Sequence, residues 1–139
     1  MIEIIPAIIP KSFADFTEKL SQVSRYVPVV QIDICDGKFT GEKSWPYSIA
    51  PDPDFARIIK EEEGFPFWEE VTFEIDLMVE NPDLVVDEWV HAGAERIVVH
   101  FESFPDAPST QTFINTFKEK FFSPGSAVSV GVGLAINMD

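Results

Sequence analysis

Along the chain, short apolar runs with a period of two alternate with stretches whose apolar residues recur every three or four positions. The first pattern predicts strands and the second helices, because side chains alternate across a strand but return to one helix face after roughly 3.6 residues. Residues 2–9 are apolar and β-branched, interrupted by Pro6 and closed by Pro10, and read as a short buried strand with a bend. In KSFADFTEKLSQVSRY, Phe13, Phe16, Leu20 and Val23 fall on one helical face, Ser12 can cap it, and Asp15 holds the capping-box position. Residues 29–35 (VVQIDIC) predict strand two. A long loop rich in Gly, Pro, Ser and aromatics follows over 38–53, then a short helix over 54–60, ended by the solvated run Glu61-Glu62-Glu63-Gly64. VTFEIDLMV (71–79) is strand three, and NPDLVVDEWVHAG is a helix with Pro82 at its start and Gly93 past its end. ERIVVHF is strand four. Residues 110–122 predict a helix with Phe113, Ile114, Phe117 and Phe121 on one face, stopped by Ser123-Pro124-Gly125, and AVSVGVGLAIN (127–137) is strand five.

Strand and helix thus alternate five strands deep, and the strands are nearly continuous in apolar residues. That combination predicts an α/β fold with a parallel sheet covered by helices. At 139 residues and 45% hydrophobic, the chain supports one core, so a single domain over 1–139 is expected. The formal charge of −14 argues against nucleic-acid and anionic-membrane surfaces, which would repel it. Small-molecule metabolism fits better. One cysteine, Cys35, cannot make an internal disulfide, and the N-terminus has no signal-like basic flank and apolar core, so the cytoplasm is the expected compartment. No apolar run approaches the roughly 20 residues of a membrane span.

Sites in parallel α/β folds lie at the carboxyl ends of the strands. The chemistry-bearing residues collect there. On strand two Gln31, Asp33 and Cys35 share a face opposite Ile32 and Ile34; on strand three Glu74, Asp76 and Met78 share one, and strand four ends in His100 and Glu102. Asp33, Asp76, His100 and Glu102 at neighbouring strand ends are suited to hold a divalent cation or move a proton. Aspartate is disfavoured within strands and costly to bury unpaired, so each needs a partner, a metal or water. Asp36-Gly37 reads as turn chemistry after strand two, because Asp bonds its own backbone and Gly tolerates positive φ. His91 suits the helix dipole at a C-terminus. Cys35 reads as a small buried apolar residue, with no basic partner beside it in sequence.

Four stretches, IIPAIIPKSFADF, QIDICDGKF, IDLMVENPDLVVDEWVHAGAERIVVHFES and GVGLAIN, resemble in order and spacing segments of the ribulose-phosphate 3-epimerases, which are ribulose-phosphate-binding (β/α)8 barrels. The blocks Asp-x-x-Asp-Gly-x-Phe, Leu-Met-Val-x-Asn-Pro, Ala-Gly-Ala and His-x-Glu carry the resemblance together. It implies a TIM-barrel-type fold and metal-assisted removal and return of the C3 proton of a pentulose 5-phosphate, with the cation steadying the enediolate charge. By this resemblance Asp33 is the first acid/base aspartate and a metal ligand, Met78 a pocket methionine, and Asn137 the asparagine closing strand five. Asp76 is a further acid or ligand.

Several positions depart from the family pattern. Gln31 and Asp76 stand where it has histidine ligands, Ala7 where a serine approaches the substrate, and Cys35 where methionine is common. Gln31, Asp33 and Asp76 form an all-oxygen set that favours Mg2+ or Mn2+ over zinc. The sequence carries five strands where the barrel has eight, so the family's second catalytic aspartate and phosphate-holding loops are not expected here, and open sheet edges predict homo-oligomerisation. Three readings follow: an epimerase-like isomerase acting on a phosphorylated sugar, a non-catalytic half-barrel remnant or binding module, and a related phosphosugar enzyme with another substrate.

Overall fold

The computed structural model describes residues 2–122 and 129–138. Five strands, β1 (Ala7–Ile8), β2 (Val29–Cys35), β3 (Thr72–Met78), β4 (Arg96–His100) and β5 (Gly131–Ala135), form one sheet in the order β1-β2-β3-β4-β5 with every pair parallel. Four helices connect them: α1 (Phe13–Val23), α2 (Pro53–Ile59), α3 (Val86–His91) and α4 (Ala107–Phe121). The arrangement is α/β and agrees with part of a TIM-barrel-type fold. Among the described residues no helix is long and apolar enough to cross a membrane.

The period-two reading of the strands is what the sheet obeys. Ile32 and Ile34 on β2, Ile75 and Leu77 on β3, and Ile97 and Val99 on β4 are fully buried on one face. Each such side chain contributes about 1.5–3 kcal/mol through apolar burial. Above them lies an aromatic layer. Phe16 stacks on Trp45 at 5.5 Å between ring centroids, and Trp45 meets Phe55 and Trp89 edge-on at 5.6 and 6.3 Å. Trp45 belongs to the long 38–53 loop, so this segment is pinned into the core.

Local signals set the helix ends. Ser12 accepts from Asp15 N at 3.1 Å, and Asp15 turns its own carboxylate to Lys11 N and Lys19 Nζ, both at 2.8 Å. Asp52 caps α2 by accepting from Phe55 N at 2.9 Å. Gly93, past the end of α3, has φ +109°, which only glycine adopts freely.

Three expectations are corrected. Residues 2–9 do not form a buried strand: only Ala7 and Ile8 pair, and Ile2 and Ile4 are 90% and 71% exposed. The segment lies at the sheet edge and Pro6 offers no N–H, although its carbonyl accepts from Gln31 N at 2.9 Å. The helix expected from Pro82 splits into a 3-10 turn (Pro82–Leu84) and α3, because Val85 sits at φ −122°. Helix α4 begins three residues earlier than 110, where Asp106 caps it by accepting from Ser109 N and Pro108 fits the first turn. The stop at Ser123-Pro124-Gly125 and the first two residues assigned to strand five, Ala127 and Val128, lie outside the described residues.

Candidate functional site at the strand ends

The face of the sheet opposite the aromatic layer carries the polar residues in layers set by strand register. Ala7, Gln31, Glu74, Arg96 and Gly131 are successive Cα partners across the sheet, and Asp33, Asp76, Val98 and Gly133 form the next layer toward the carboxyl ends. In the first layer Arg96 Nη1 donates to Glu74 Oε2 at 2.6 Å, which supplies the buried Glu74 carboxylate with a counter-charge. In the second, Asp33 and Asp76 are direct neighbours on adjacent parallel strands.

Among the described residues neither aspartate is held by an arginine or lysine. Asp33 Oδ1 accepts from Gln31 Nε2 at 2.7 Å, two residues back on the same strand face. Asp76 Oδ1, on β3, pairs with His100 Nε2, on the adjacent β4, at 2.8 Å. His100 closes β4, is 8% exposed, and packs under the ring of Phe39 at 5.1 Å between centroids. Among the described residues its buried Nδ1 has no partner.

The surroundings shift these groups in a consistent sense. Burial raises Asp33 above the usual carboxylate range, and the nearby Asp76 charge adds to the rise, while the Gln31 hydrogen bond and His100 oppose it. The Asp76 hydrogen bond holds His100 above the ordinary histidine value against the effect of burial. A carboxyl and a histidine whose pKa values are both raised, set beside each other at the strand ends, are an arrangement suited to moving a proton. Burial also raises the Cys35 thiol, which leaves it a packing residue.

Asp36, four positions into the same motif region, does something else. Its Oδ1 accepts from Lys38 N at 2.8 Å and Phe39 N at 3.0 Å, and its Oδ2 from Glu80 N at 2.8 Å. Burial works to raise it, but these backbone N–H groups prevail and hold it below the usual range. Gly37 follows with φ +79°, and a Cβ there would meet Lys43 Cγ at 2.6 Å. Asp36 therefore builds the turn and ties the loop after β2 to the loop after β3.

The remaining candidates separate. Met78 is half-buried one layer above Asp76, Ala7 is exposed at the sheet edge, and Asn137 is exposed at the mouth. Glu102, grouped with the acids in the sequence, instead lies on a 3-10 turn (Phe101–Ser103), where its Oε1 accepts from Asn137 N at 2.7 Å. A cavity of about 540 Å³ opens beside it, lined by Lys38, Phe39, Glu80, Asn81, Glu102 and Ser103 among others. A larger one, about 680 Å³, lies by Glu61, Trp68, Phe73 and Glu95 at the start of the strands, and its lining contains none of Asp33, Asp76, His100 and Glu102. Strand direction, not cavity size, locates the site.

Sequence reasoning missed two supporting residues. Phe39 covers His100. Ser44, 1% exposed in the long loop, accepts from Cys35 N at 2.9 Å and reaches the Asp33 carbonyl at 3.3 Å, so it fixes the backbone that carries Asp33. A serine amid loop residues gives no periodic signal; the final Phe of Asp-x-x-Asp-Gly-x-Phe was the one available hint for Phe39.

A metal was part of the sequence expectation. Gln31, Asp33 and Asp76 offer oxygen donors, but Asp33 and Asp76 each have one oxygen engaged by a neighbour, and Gln31 turns its amide N–H to Asp33. Among the described residues no three His, Cys, Asp or Glu side chains gather as a metal site requires. The residues as arranged do not fit a preassembled metal centre.

A family model, described as the ribulose-phosphate 3 epimerase family, matches residues 3–136. No curated protein matches the chain at a significant level. The match spans nearly all of the sequence, from the residues before β1 to those after β5, and takes in Asp33, Asp76 and His100. On that coverage, and with the five parallel strands that bring these residues to one end of the sheet, the chain belongs to the ribulose-phosphate 3-epimerase family.

Proposed function

We propose that this protein binds a phosphorylated ketose at the carboxyl ends of β2–β4 and that Asp33 removes the proton next to the carbonyl, C3 of a pentulose 5-phosphate. The observation that carries the reading is the half-buried Asp33, raised in pKa and set in register beside the Asp76–His100 pair. A carboxyl of raised pKa is a stronger base once ionised, and a dry cleft strengthens its effect on a weakly acidic C–H. Family membership supports the substrate class, since members bind phosphorylated sugars.

Inversion needs a base on one face of the substrate carbon to take the proton and an acid on the other to return one. Asp33 and Asp76 project from adjacent strands on one wall, so the described residues supply one face. The expected minimal activity is therefore exchange of the C3 hydrogen with solvent at Asp33, with Asp76 as a second acid on the same wall. Family members are typically metal-dependent. The oxygen donors of Gln31, Asp33 and Asp76 favour Mg2+ or Mn2+ over Zn2+, but no step above depends on a cation. Self-association through the exposed apolar residues at the two sheet edges, Ile2, Ile4 and Ile9 on one side and Leu134, Ile136 and Met138 on the other, belongs to the same proposal. Light scattering that finds only monomer at micromolar concentration would contradict that part.

The test is ribulose 5-phosphate in deuterated water, with chelator or with Mg2+, Mn2+ or Zn2+, followed by proton NMR at C3. Deuterium uptake supports the proposal. Absence of uptake under every condition favours a non-catalytic binding module, a reading to which the engaged oxygens of both aspartates already lend weight.

A further inference from the structure

Two hydrogen-bonded pairs take up the positions where the family resemblance places metal ligands, Gln31, Asp33 and Asp76. Gln31 Nε2 donates to Asp33 Oδ1 at 2.7 Å, and His100 Nε2 meets Asp76 Oδ1 at 2.8 Å. In the first, Gln31, at a ligand position, turns its amide N–H to Asp33, and in the second Asp76, at another ligand position, has Oδ1 engaged by the His100 ring. A metal ion needs three or more donors converging at about 2.0–2.6 Å, and among the described residues no three His, Cys, Asp or Glu side chains gather in that way.

The His100 pair is the better anchored of the two. Its backbone ends β4 and is held by pairing with Ala135 on β5, its ring lies beneath Phe39, and the ring is buried with Nδ1 unpartnered. Among the described residues Asp76 is thus the hydrogen-bond partner of the ring, and the ring in turn holds Asp76 Oδ1. We infer that this cleft is organised by the Gln31–Asp33 and His100–Asp76 pairs in place of a resident transition metal, with His100 as the positioning residue that aims Asp76. The inference deepens the proposed function by naming what holds the acids of that same site.

Two measurements test it without turnover. The full chain, prepared without chelator, is analysed for bound metals by mass spectrometry and titrated with Zn2+ by calorimetry. Strongly substoichiometric metal and no tight saturable binding are expected; a stoichiometric ion that survives dialysis overturns the inference. Gln31→His combined with Asp76→His should then raise Zn2+ affinity by on the order of 100-fold, since it removes both pairs and supplies imidazole donors around Asp33. Unchanged affinity in the folded variant, or in Gln31→His alone if the pair of changes unfolds the chain, also overturns it.

For His100, carbon-13 NMR of the Asp76 carboxyl is the readout. His100→Gln keeps an N–H for Asp76 and should leave the resonance near its original position, whereas His100→Leu should move it. Equal shifts in the two variants would deny the positioning role. A metal-poor cleft ordered by His100 that exchanges no C3 hydrogen would refute the proposed activity alone, so the two failures are distinguishable.

Discussion

The two faces of the sheet are built from the same strands by opposite means. The helix-facing side, Ile32, Ile34, Ile75, Leu77, Ile97 and Val99 under Phe16, Trp45 and Trp89, is held by apolar area and best tolerates apolar residues of similar volume. The cleft side, Gln31, Asp33, Glu74, Asp76, Arg96 and His100, is held by specific pairs, and little there is replaceable without leaving a polar group alone. The difference teaches which face carries stability and which carries chemistry. Residues one position apart on a strand should answer different assays.

Trp89→Ala should show the largest effect. Trp89 is fully buried and touches Trp45, Phe55 and Phe65, so urea denaturation should report a loss of about 3–5 kcal/mol. A loss of under about 1 kcal/mol would mean that the aromatic layer does not organise the core.

His100→Leu should cost less, about 1–3 kcal/mol, because it leaves the Asp76 carboxylate unpaired in a half-buried cleft while keeping the apolar bulk under Phe39. A stabilised variant would show that the pair is not favourable in the folded protein.

Smaller still is the pH effect. The hydrogen bond to Asp76 raises His100, so the folded state holds that proton more tightly than the unfolded chain. Its contribution is fully present below the unfolded histidine value of 6.5 and is lost as pH rises through the raised folded value. Asp33, raised by burial, acts in the same direction from 3.8 upward. The urea midpoint should therefore fall between mildly acid and alkaline pH, and the fall should be shallower in His100→Leu, which removes the His100 part from the background of overall charge. A midpoint that rises with pH would contradict both assignments.

The smallest effect belongs to the loop surface. Lys38 and Glu80 pair at 3.2 Å with both side chains more than half exposed, so Lys38→Ala should change stability by less than about 1 kcal/mol.

How much of this was readable in the sequence depends on which force sets each element. The period-two strands and the period-3.6 face of α1 follow from burial, and β2 appears at the residues its pattern predicted. The face assignment of Gln31, Asp33 and Cys35 against Ile32 and Ile34 follows from the same alternation. Where tertiary context decides, the pattern misleads. Residues 2–9 look like a strand, but the edge position and Pro6 leave only two residues paired. One helix was expected where Val85 breaks it in two, because nothing in NPDLVVDEW marks that break. In the site, the acids were visible but their partners were not: Asp76 joins His100 across strands, and Glu102, close in sequence to His100, turns away to Asn137. Pairings between distant segments leave no local spacing to find.

Asp33 and Asp36 separate chemistry from architecture within four residues, and comparing their asparagine variants tests the central claim most directly. In deuterated water with ribulose 5-phosphate, Asp33→Asn should lower C3 exchange by about 10²–10⁴-fold with its urea midpoint unchanged or higher, while Asp36→Asn should lower stability through its turn and keep exchange per folded molecule. Exchange that survives in Asp33→Asn, or that Asp36→Asn abolishes in a folded protein, would contradict the assignment of the proton transfer to Asp33.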